Sequence, residues 1–194
     1  MQYLFSWLNS TKVKNIQTFV EQRTRAWLNS FVLGLNLCPF AGPVIAADGL
    51  RLTVFQSSAL EDIAAIYLKE LHLICHSPES KIATTLLVLP VGLEDFEVYL
   101  DFVDNATDLL GDQGLAGTIQ LASFHPQYHF GGELEEANSH FTNRSPYPMI
   151  HFLRQEMVAR LLVDFSNPEE IPQRNIETLE AIDAAELQQR LDNL

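Results

Sequence analysis

The apolar residues Ile16, Phe19, Val20, Trp27, Leu28, Phe31, Val32 and Leu35 recur at three- and four-residue intervals, the spacing of an amphipathic helix. This opening helix starts near Val13. It must stop by Leu37, because Pro39 cannot continue the hydrogen-bond ladder and disfavours helical backbone at Cys38. Leu50 to Gln56 alternates apolar and polar side chains, as a strand with one wetter face does. Leu60 to His76 returns to the helical period, with Ile63, Ile66, Leu71 and Ile74 inward and Pro78 beyond its end. Lys81 to Pro90 is apolar on both faces, which suits a strand covered by helices. A third helix is expected from Glu94 to Leu110, stopped by Gly111 and Gly114, and a third strand from Thr118 to Phe124.

Helices and strands that alternate in this way predict an α/β fold: a small, partly parallel sheet of three or four strands packed by helices. After Phe124 the period is lost. Residues 125–148 hold Gly131-Gly132 and three prolines, and a loop of that length inside a compact domain is usually functional or disordered. Its aromatic residues Tyr128, Phe130, Phe141 and Tyr147 favour order. Ser145 then reads as the cap of a late helix from Pro146 to about Val163, with Ile150, Leu153, Met157 and Leu161 inward. Beyond Asn167 the pattern is of two short acidic helices burying Ile176, Leu179, Leu187 and Leu191. Residues 1–194 are thus expected to form a single α/β domain, with 1–12 as an N-terminal extension and 168–194 as an acidic helical tail.

The formal net charge of −13, from 25 acidic against 12 basic residues, would repel a phosphate backbone, so no nucleic-acid partner is expected. The charge is uneven. Residues 1–30 hold four basic residues against Glu21 alone, whereas 168–194 hold seven acidic and two basic, which makes solvated helix faces or a protein-docking face. No apolar run approaches the roughly 20 residues of a membrane helix, and Met1 to Leu8 lacks the basic start and cleavage site of a secretory signal. With only Cys38 and Cys75 present, a cytoplasmic protein with free thiols is expected.

Candidate chemistry gathers between His125 and Arg154. Asn143, Arg144, Ser145 and Tyr147 would stand at the start of the late helix, whose unpaired N–H groups and dipole attract anions, and Arg144 would add bidentate hydrogen bonds. A small anionic molecule is the expected ligand. The alternative is that Ser145 only caps while Arg144 pairs with Glu133 or Glu135. His125 ends the third strand, where open α/β sheets place ligands, and His151 would share a helix face with Arg154. Either histidine could transfer protons, or lie buried and hydrogen-bonded. Cys38 could be a nucleophile, although the negative end of the preceding helix dipole would hold its thiol protonated; otherwise it packs. His125, His129, His140, His151 and Cys38 are all acceptable metal ligands, but their spacing matches no metal motif and no metal is assigned. Nothing in the chain names a cofactor.

Leu35-Asn36-Leu37-Cys38-Pro39-Phe40-Ala41, Ala122-Ser123-Phe124-His125-Pro126 and Thr142-Asn143-Arg144-Ser145-Pro146-Tyr147-Pro148, with His151 and Arg154, resemble a bacterial family catalogued as domain of unknown function 1415. The likeness runs from about Val13 to Leu179. It implies that Cys38, His125, Asn143, Arg144, Ser145, Tyr147, His151 and Arg154 occupy the family's signature positions. In that pattern an acid commonly follows the arginine, where this chain has Gln155 and then Glu156. The family has no established activity, so the resemblance implies no substrate or cofactor. Three readings remain: a small enzyme or binder acting on an anionic molecule at His125–Arg154, an interaction module presenting its acidic C-terminal helices, and a His/Cys metal-binding protein.

Overall fold

A computed structural model describes residues 2–163, 165 and 167–194, with side chains from Lys14 onward. Helix α1 (Gln2–Trp27) runs without a break into a π-helical segment, Leu28–Leu33. Residues 2–12, the expected extension, are helical and continuous with the first helix, and Met1 lies outside the described residues. A short helix α2 (Ala41–Ala46) follows, which the sequence periods do not predict. Strand β1 (Leu50–Val54), helix α3 (Leu60–His76), strand β2 (Thr84–Val88), helix α4 (Phe96–Asp112) and strand β3 (Ile119–Phe124) stand where periodicity puts them, within a few residues. Asp95 starts α4 by accepting the N–H groups of Glu97 and Val98.

The late segment differs from expectation. Met149–Arg154 is a strand, β4, and helix α5 occupies only Gln155–Val163. Met149, Ile150 and Phe152 are all fully buried, so β4 is apolar on both faces and carries no alternation to distinguish it from a buried helix. Ser145 therefore caps no helix and Pro146 begins none. Three residues apart on a strand, His151 and Arg154 point to opposite faces, which corrects the shared helix face expected for them.

The sheet order is β1-β2-β4-β3. Strands β1 and β2 are parallel, and β4 runs antiparallel to both of its neighbours, β2 and β3. On one face Leu87, Ile119, Ile150 and Phe152 pack against α3 and α4 through residues such as Ile63, Ile74 and Tyr99. Across the other face Leu86, Val88 and Met149 meet Trp27, Phe31 and Val32. Helices α6 (Ile171–Glu180) and α7 (Ala184–Asp192) complete that second core with Leu179, Leu187 and Leu191. The acidic tail is thus integral to the fold. Among the described residues no helix is long and apolar enough to cross a membrane.

Candidate functional site

Most of the residues singled out in the sequence bind the loop between β3 and β4 to its surroundings. His125, fully buried just after β3, accepts the N–H of Gln127 at Nδ1 (3.1 Å), so Nε2 carries the proton and donates to the Leu93 carbonyl at 3.0 Å. Both ring nitrogens are engaged. Burial pushes its pKa below the usual histidine value, against a smaller upward pull from the Leu93 bond and Asp95. His140 repeats the arrangement, accepting from Phe130 N–H (3.1 Å) and donating to Leu134 O (2.8 Å). Asn143 donates to Ser123 O at 2.9 Å, and buried Ser145 donates its hydroxyl to Tyr147 O at 2.7 Å. The Arg144 carbonyl receives the Trp27 indole N–H at 3.0 Å, while its guanidinium lies over Phe141 and donates to Tyr128 O. Tyr147 stands under the Arg23 guanidinium.

Arg154 has an equally definite structural task. It donates to the carbonyls of Ile74, Ser77 and Ile82 at 2.6–3.1 Å, closing the carboxyl end of α3, where unpaired carbonyls and the negative dipole end favour a cation. The Nε and Nη2 groups are thereby committed to the backbone.

Cys38 and His151 have a different fate. Together they line a cavity of about 280 Å³ between the α1 face of the sheet and the short helix α2. Its base includes Leu86 from β2 and Ala122 and Phe124 from β3, with Trp27 and Met157 in the walls. Helix α2 is apolar, Ala41-Gly-Pro-Val-Ile-Ala46, yet none of its residues is fully buried; Ala41, Val44 and Ile45 line the void, and Ala41 also packs against the second core. The adjoining π-helical turn is a rare backbone form that recurs at functional sites.

Thr84 sets the protonation pattern of this cavity. Its hydroxyl donates to Phe152 O at 2.8 Å and is also in contact with His151 Nε2; with the hydroxyl proton already used, Nε2 must be the donor. His151 Nδ1 is left as an acceptor with no protein partner among the described residues, on a side chain that is partly buried. Burial pushes the ring's pKa down to about 4, so it is neutral at pH 7. The Cys38 thiol is pushed up, chiefly by burial and against the N–H groups of Phe40 and Ala41, so it stays protonated as well.

A family model with the description "Protein of unknown function (DUF1415)" matches residues 19–189. The chain belongs to the DUF1415 family. No curated protein and no solved structure matches it. In this DUF1415 member the residues lining the cavity, from Trp27 to Val158, all fall inside the matched span.

His125 lies on the α4 side of the sheet and His151 on the α1 side, so the two candidate proton carriers do not converge. No group of three or more His, Cys, Asp or Glu able to hold a metal occurs among the described residues. Beside the carboxyl ends of β2 and β3 lies a second, polar cleft of about 760 Å³, where Arg144 and His129 face Asp95, Glu97, Glu133 and Glu135. Arg144 forms no ion pair with Glu133 or Glu135. Sequence reasoning about this DUF1415 chain missed Thr84 and α2. A threonine pair inside the apolar run Ile82–Leu89 was the available signal for the first, and the apolar hexapeptide after Phe40 for the second.

Proposed function

We propose that this protein binds a small, uncharged, largely apolar molecule in the cavity under α2. The observation that carries this reading is an apolar void containing a neutral imidazole with one unpartnered nitrogen. Small-molecule sites combine a mostly apolar lining with a few placed polar groups, often with shifted pKa values. An apolar cavity roughly half this size already admits benzene. Both Cys38 and His151 are uncharged, which supports binding over nucleophilic catalysis. Thermal denaturation with a panel of monocyclic aromatic fragments tests it. The wild-type midpoint should rise with fragment concentration, and Ala122→Phe, which fills the cavity from β3, should abolish the rise while keeping a native circular dichroism spectrum. No rise with any fragment would remove the reading.

A second reading keeps the anionic ligand, now at the polar cleft. It rests on Arg144, whose guanidinium lacks a carboxylate partner there, although four carboxylates line the same cleft and oppose an anion. Phosphate titration followed by tryptophan fluorescence, lost in Arg144→Gln, is its test. Two unpaired cysteines also support a cytoplasmic location, checked by cell fractionation.

A further inference from the structure

We infer that the cavity selects a neutral ligand carrying an O–H or N–H hydrogen-bond donor, of the kind phenol or indole presents, and rejects carboxylates. The inference rests on the cavity being the binding site, and it follows from one directional chain of hydrogen bonds. The Phe152 carbonyl can only accept, so Thr84 donates to it; Thr84 then accepts from His151 Nε2, and His151 Nδ1 can only accept in turn. The backbone of β4 thereby dictates what a ligand must offer to the opposite edge of the ring.

Other donors near the cavity do not satisfy Nδ1. The indole N–H of Trp27 is committed to Arg144 O, and neither the Cys38 sulfur nor the exposed Gln120 amide forms a hydrogen bond with the ring. A ligand that fills the cavity strips solvent from this acceptor, which is costly unless the ligand supplies an O–H or N–H in its place. A ligand offering only a carbonyl or ether oxygen would set acceptor against acceptor. A carboxylate would fare worse, because no cationic side chain lines the cavity to replace its lost hydration.

The experiment compares phenol, toluene, anisole and benzoate by calorimetry, on wild type, His151→Phe and Thr84→Val. Wild type should bind phenol and toluene but not benzoate. His151→Phe should lower the phenol-to-toluene affinity ratio about three- to tenfold, the worth of one neutral hydrogen bond, while toluene binding persists. Thr84→Val keeps the imidazole but frees its tautomer, so anisole, an acceptor-only analogue, should gain on phenol. In wild type the ¹⁵N shift of His151 Nδ1 should move on adding phenol and stay put with toluene. Binding of phenol and toluene with an unchanged ratio in His151→Phe would overturn the donor requirement and leave the cavity reading standing. Failure of both to bind overturns the two together, and benzoate binding more tightly than phenol overturns the selectivity.

Discussion

His151 carries a pH dependence of known sign. Its folded pKa of about 4 lies below the unfolded value of about 6.5, so between those limits the unfolded chain holds the extra proton and stability rises with pH. The contribution is complete above pH 6.5 and fades as pH falls towards 4. Going from pH 7.5 to pH 5 should cost wild type about 2 kcal/mol more than His151→Phe, measured by urea denaturation at both pH values. His125, also depressed by burial, acts in the same direction in both proteins and cancels from the comparison. A second residue-scale prediction concerns Arg154. Arg154→Ala leaves the carbonyls of Ile74, Ser77 and Ile82 without their donor and should destabilise by about 3 kcal/mol. Val163→Ala, at a side chain 81% exposed, should change stability by less than about 0.5 kcal/mol in the same assay.

At the scale of elements, β4 and α2 are the informative cases. Ile150, Leu153, Met157 and Leu161 satisfy a helical spacing only because a strand ending at Arg154 abuts a helix beginning at Gln155. Burial on both sides removes the alternation that would have exposed the join. The helices α3 and α4 were legible because each has one wet face, and α2 was not because six residues are too few to show a period. The candidate residues were legible as a set but not by role. Spacing along a chain does not say which carbonyls Arg154 will reach, or that Cys38 and His151 will face one void. Hydrogen exchange separates the elements. Amides of Met149–Arg154, paired on both sides, should exchange only through global unfolding, whereas those of Ala41–Ala46 should exchange far faster.

For the whole molecule, two apolar layers flank one sheet, and the second layer depends on the acidic C-terminal helices. Asn175 fixes α6 to Leu37 O at 2.8 Å, and Asn138 reaches the Ile182 carbonyl at 2.8 Å. Deleting residues 168–194 strips Leu179, Leu187 and Leu191 from that layer. The shortened protein should lose cooperative thermal unfolding and bind an environment-sensitive dye, so a truncation of this kind reports on folding before it reports on any partner.

The placement of β4 between β2 and β3 also governs the order in which this chain can assemble. During synthesis β1, β2 and β3 all emerge before the strand that must separate two of them, so the sheet has a gap in its middle until residue 154 has left the ribosome. Strands β2 and β3 point the same way and could pair with each other in the meantime, a non-native ladder that β4 would have to displace. The clasp made by His125, Asn143 and Arg144 lies next to the β3–β4 junction, where it holds the returning chain beside β3. A β3–β4 ribbon formed first and docked onto β2 as a unit would avoid the trap, and the loop would then bear on folding as well as walling a cleft.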